Sequence, residues 1–125
     1  MIRSLIYILV SVSIIASLTF YEQSIIDRSF GELRRELSVI TDKATNETVT
    51  EIDVKSLQKK WIKEKETLHV FIPHNEIKEV DLWLSECLYY SRKKDYAETC
   101  AKAEVLSELF EQIPKTFSFR IENIL

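Results

Sequence analysis

Residues 4–21 carry no charge, no proline and no glycine, and only serine and threonine interrupt their apolar run. As a helix the stretch spans about 27 Å at ~1.5 Å per residue, close to the ~30 Å of a bilayer's hydrocarbon core. Leu5, Ile8, Val12, Ile15 and Phe20 mark its extent. The pattern predicts an uncleaved signal-anchor, a single-pass segment that meets the lipid bilayer through residues 4–21. Two other readings compete with the anchor. A signal peptide ends on small residues at its cleavage site, and Ser17 and Thr19 match that poorly. A soluble core helix has a polar face, and this stretch has none beyond its hydroxyls.

Helical periodicity continues past the anchor. Ile26, Phe30, Leu33, Leu37, Ile40 and Ala44 are spaced alternately four and three apart, a seam along one helix face. The anchor therefore runs on into an amphipathic helix. A polar loop covers 45–52, with Thr50 or Asp53 able to cap the next helix. Helix two is expected over about 53–71, burying Val54, Leu57, Trp61, Leu68 and Phe71, with Glu64 interrupting the face. Its lysines read as a solvated surface, with Lys60 pairing to Glu64. Pro73 forces a break. Asn75 then reads as the cap of helix three, about 76–92. That helix is apolar on several sides, which suggests a central position. Helix four, about 95–112, carries Cys100, Ala103, Leu106, Phe110 and Ile113, and Pro114 is expected to close it. Phe117, Phe119 and Ile121 alternate as in a strand, whereas Phe117, Ile121 and Ile124 fit a helix, so the tail stays ambiguous. The fold class is all-α: an N-terminal transmembrane helix continuing into an antiparallel bundle of about four helices. Residues 1–21 form the membrane anchor and 22–125 the helical-bundle domain.

Composition narrows the function classes. One glycine and two prolines leave no material for a glycine-rich phosphate loop. Net charge is −3 with both signs interspersed, which lacks the concentrated basic face that nucleic acid requires. Orientation rests on the flanks. Arg3 and the α-amine lie directly beside the apolar stretch, whereas Arg28, Arg34 and Arg35 lie farther off among acids. A strict count of basic residues favours the opposite sense, but proximity favours the N-terminus inside and the C-terminal domain extracytoplasmic.

The sharpest candidate chemistry is Cys87 with Cys100. Their midpoint falls between Lys93 and Lys94, at the expected turn between helices three and four. Residues equidistant from an antiparallel turn face each other, so the two form a possible disulfide. The alternative is a pair of buried thiols acting as small hydrophobes. His69 and His74 complete no zinc-site spacing with them, and no G-x-S-x-G nucleophile motif occurs. No catalytic, cofactor-binding or metal-binding residue is assigned, and the chain is not expected to be an enzyme.

Several features together give a resemblance: the anchor, Trp61, the run from Phe71 to Asp81, the Asp95-Tyr96 helix start, and the ending Ile113-Pro114 followed by Glu122-Asn123-Ile124-Leu125. On these the chain resembles the DUF4363 family, a domain of unknown function. The resemblance implies a short bacterial membrane-associated helical protein with no known activity. The most direct reading is an interaction or accessory module for an unidentified envelope or membrane protein partner. The alternative is an extracytoplasmic sensor or ligand-binding domain built on Trp61, Trp83, Tyr89 and Tyr90.

Overall fold

The computed structural model describes residues 1–124. Four helices follow in order: α1 (Ile2–Thr45), α2 (Glu51–Leu68), α3 (His74–Arg92) and α4 (Tyr96–Ile124). α1 packs on α2 and α4, α3 packs on the same two, and the diagonal backbones stay apart. This is an up-down-up-down antiparallel bundle. No strand occurs among the described residues, so the alternating aromatics after Pro114 lie on a helix.

α1 is a single helix of 44 residues, about 66 Å long. Its C-terminal half buries the whole seam from Ile26 to Ala44. Its N-terminal half is exposed, and the apolar window long enough to cross a membrane is 0% buried. One helix thus has two different surroundings.

The helix starts follow from local hydrogen bonds. α2 begins two residues earlier than its apolar pattern suggests. Thr50 Oγ1 accepts the Asp53 N–H at 3.4 Å while Asp53 Oδ2 accepts the Thr50 N–H at 2.9 Å. This reciprocal box satisfies two donors at once. Burial raises the pKa of the Asp53 carboxyl, but hydrogen bonds from Lys43 and Thr50 outweigh it and hold the group below its usual range. α2 ends at Leu68, not at Phe71, because the Phe71 and Ile72 N–H groups both turn back to Leu68 O at 3.0 Å. Pro73 is itself the N-cap of α3, and its carbonyl accepts from Glu76 and Ile77 at 3.1 and 3.3 Å. Asn75 lies inside the first turn and makes no cap hydrogen bond.

Nor is α3 central. In a ring of four helices each keeps an outward face, and Leu82 and Tyr89 are about half exposed there. The expected Lys60–Glu64 pair is replaced by contacts between helices: Lys60 Nζ lies 3.4 Å from Glu32 and 3.6 Å from Glu36, both on α1.

Pro114 does not stop α4, which runs ten residues beyond it to Ile124. Proline inside a helix removes one N–H and displaces the carbonyl four residues earlier, at a cost of about 3 kcal/mol. That carbonyl belongs to Phe110. Arg34 Nη1, reaching across from α1, donates to Phe110 O at 3.3 Å. The acceptor orphaned by the proline is satisfied from the neighbouring helix, and the seam continues through Phe117 and Ile121.

At the pole opposite the apolar half of α1, two helices end in left-handed residues that are not glycine: Glu47 at φ 57° and Lys94 at φ 58°. Both follow the Schellman pattern. Thr48 N–H reaches Lys43 O at 2.8 Å and Glu47 N–H reaches Ala44 O at 3.2 Å; Asp95 N–H reaches Tyr90 O at 3.0 Å and Lys94 N–H reaches Ser91 O at 3.2 Å. A Cβ in this conformation costs roughly 1–2 kcal/mol.

Two outcomes follow for the full chain in detergent, measured by chemical denaturation. Lys94→Gly relieves the left-handed strain and raises stability by about 0.5–1 kcal/mol, the entropic cost of glycine offsetting part of the gain. Arg34→Ala costs about 1 kcal/mol alone, the scale of a lost hydrogen bond, and distinctly less in a Pro114→Ala background, where residue 114 supplies its own N–H to Phe110 O. An equal cost in both backgrounds contradicts the compensation.

Candidate functional site

The waist of the bundle is aromatic. Phe30 on α1, Trp61 on α2 and Phe110 on α4 form a triangle with ring centroids 5.9–6.4 Å apart. The fourth helix joins through a hydrogen bond, with Trp61 Nε1 donating to Asp81 Oδ1 on α3 at 2.7 Å. Lys65 Nζ reaches the same carboxylate at 3.3 Å. Glu64, the polar break in the α2 seam, accepts from the buried Ser29 hydroxyl of α1 at 2.8 Å. These polar side chains thus join neighbouring helices in pairs.

The four aromatics weighed for ligand binding do not share a cavity. Trp61 is core. Trp83 donates to Glu79 within α3 at 3.1 Å. Tyr89 and Tyr90 meet edge to face, and Lys102 Nζ sits 5.3 Å above Trp83 and 5.6 Å above Tyr90. A groove of about 420 Å³ lies elsewhere, between the end of α2 and the start of α3, lined by Lys65, Glu66, His69, His74, Ile77 and Asp81. Both histidines reach this groove while both cysteines lie outside it. Among the described residues no three His, Cys, Asp or Glu side chains converge as a metal site needs.

Cys87 and Cys100 are free thiols, the first buried and the second half-buried. They point to different partners: Cys87 Sγ to Thr99 O at 3.9 Å, Cys100 Sγ to the Thr45 hydroxyl at 3.7 Å. Burial, with Cys100 adding an unfavourable nearby charge, pushes the Cys87 thiol from its ordinary 9.0 up to about 12.

The third region is the end of the bundle from which the apolar half of α1 projects. There Ile15, Thr19 and Glu22 of α1, Phe71 of the α2–α3 turn, and Phe117, Arg120 and Ile121 of α4 surround a notch of about 310 Å³. Phe71 and Phe117 meet edge to face with centroids 6.3 Å apart. Phe20, Tyr21, Val70 and Phe119 are exposed around it. Of the anchor residues named from sequence, Leu5, Ile8, Val12 and Phe20 face no other helix, while Ile15 borders this notch. The signal for the notch was present in the α4 seam, since Phe117 and Ile121 keep helical spacing across Pro114.

The class is therefore an antiparallel four-helix bundle carried on a long helix whose N-terminal half is apolar and exposed. A family model described as a domain of unknown function, DUF4363, matches residues 20–124, and the chain belongs to that family. The match takes in the bundle and begins where the apolar stretch ends. No curated protein and no solved structure matches the chain.

The thiol environments give a direct test. A rise from 9.0 to about 12 lowers the thiolate population of Cys87 at neutral pH about 1,000-fold. With excess maleimide at neutral pH the reduced, folded chain takes one label, at Cys100, and a second only after unfolding. Because the folded pKa lies above the unfolded one, the contribution of Cys87 to stability is full below pH 9 and falls as pH rises toward 12. Labelling of Cys87 in the folded protein contradicts this assignment.

Proposed function

We propose that the chain is a single-pass membrane protein whose residues 4–21 anchor it, N-terminus inside, and whose bundle is a non-catalytic interaction or accessory module on the extracytoplasmic side. One observation carries the reading. The apolar window of α1 is 0% buried, whereas the same helix buries its entire seam from Ile26 onward. Exposed apolar area of that extent is unfavourable in water at ~25 cal/mol per Å², and a bilayer removes it. A soluble core helix would instead hide this window, and the continuity of α1 into the bundle supports an anchor that stays attached to it. The module reading draws on outward apolar side chains such as Ile52 and Leu82.

Cys100 is a native reporter of orientation. After mild reduction, a membrane-impermeant maleimide is expected to label it on intact cells. Labelling only after permeabilisation overturns the extracytoplasmic placement. Photo-crosslinking from position 52 in native membranes is expected to give a discrete, reproducible adduct with one partner. Recovery of monomer alone counts against an interaction role.

A further inference from the structure

The notch and the apolar side chains around it lie level with the last turns of the anchor, and length decides what they meet. Ile15 of α1 borders the notch formed with the end of α4, so between the charged Arg3 and the bundle only residues 4–14 of the apolar run project free, or ~17 Å. That is too short for a hydrocarbon core of ~30 Å. From Ser4 to Tyr21 the apolar run reaches ~27 Å, close to that thickness, but its last two turns then run beside Phe117, Arg120 and Ile121. α1 is unbroken, so no hinge allows the bundle to swing clear.

Resting on the anchor reading, we propose that the base of the bundle is itself a membrane-docking surface. The end of α4 and the α2–α3 turn sink into the interfacial layer of the bilayer beside the anchor. The depth required, from Tyr21 back to Ile15, is ~9 Å, within the ~5–10 Å at which amphipathic helices settle in an interface. The side chains there suit that layer. Phe119 is 63% exposed and Val70 71%, with Phe20 and Tyr21 beside them, and aromatic rings favour the headgroup level. Arg120 has a stem long enough to lay against the notch while its guanidinium reaches the phosphate layer. At the opposite pole ion pairs predominate, Glu51 with Lys55 and Arg92 and Lys43 with Asp53, around the strongly exposed apolar side chain of Ile52.

The test uses the full chain reconstituted in phosphatidylcholine–phosphatidylglycerol vesicles, with tryptophan added singly at three exposed positions: Leu9→Trp, Phe119→Trp and Ile52→Trp. Circular dichroism verifies the helix content of each. Lipids brominated near the ends of their acyl chains report on position 9, and lipids brominated near the headgroups report on position 119. Expected is a loss of the added emission for Leu9→Trp and Phe119→Trp in their respective lipids, and none for Ile52→Trp. Quenching at position 9 without quenching at 119 overturns docking of the base while leaving the anchor standing. Absence of quenching at position 9 overturns both. Equal quenching at 52 and 119 also overturns the proposal, since it shows the bundle lying on its side.

Discussion

The Trp61 indole, carried on α2, meets all three of the other helices. Its ring packs against Phe30 and Phe110, and its N–H is held by Asp81 at 2.7 Å. The ring brings the dispersion and desolvation terms of a large aromatic, and truncating such a side chain typically costs about 3–5 kcal/mol. The hydrogen bond adds direction. A buried indole N–H without an acceptor is penalised, so α3 must present Asp81 at one height and in one rotation. Lys65 then offsets the charge of that carboxylate. The same arrangement takes the tryptophan out of consideration as a ligand-binding surface.

From this waist the α1–α4 pair extends toward the base, and there Arg34 and Pro114 depend on each other. The proline removes a donor inside α4, and the arginine of α1 supplies one at Phe110 O. A helix that stopped at Pro114 would leave the apolar half of α1 alone below Phe30. Because α4 continues, the two helices descend together, and Phe71 of the α2–α3 turn closes against Phe117. The position of the base relative to the anchor is thus a consequence of one compensated proline.

Positions fixed by periodicity were legible. The six-residue seam of α1 needs only a count of threes and fours, and every member is buried. Features that depend on a distant partner were not. Pro114 reads as a stop because the sequence does not reveal that a side chain eighty residues earlier replaces its hydrogen bond. Asn75 reads as a cap because its side chain is suitable, yet the carbonyl of Pro73 already starts the helix. Lys60 reads as a local ion pair because Glu64 is four residues away, whereas Ser29 takes Glu64 and leaves the lysine to α1. Symmetry about a turn put Cys87 and Cys100 on facing helices, but side-chain rotation, which spacing does not carry, directs their sulfurs to Thr99 and Thr45. The aromatic notch at the base could be sensed only as an ambiguous tail, since Phe117 and Ile121 fit two periods.

The two poles of the bundle differ in the balance of their exposed side chains, and this bears on how each meets its surroundings. The far pole is closed by two Schellman turns with left-handed Glu47 and Lys94, by the Thr50–Asp53 box and by exposed ion pairs, where Lys55 first and Arg92 second hold the Glu51 carboxyl below its usual range. Such surfaces are stable in water and gain little from lipid. The near pole gathers Phe20, Tyr21, Val70 and Phe119, which gain from leaving water. Given a bilayer at the near pole, the bundle stands upright on it without a flexible tether, because α1 is continuous. On the accessory-module reading proposed above, a partner protein would be met at the outward faces of the helices or at the far end, at a fixed height above the membrane. That constraint favours a partner held in the same membrane over one arriving freely from solution, since a rigid, short-reaching module can dock productively only on surfaces presented at its own level.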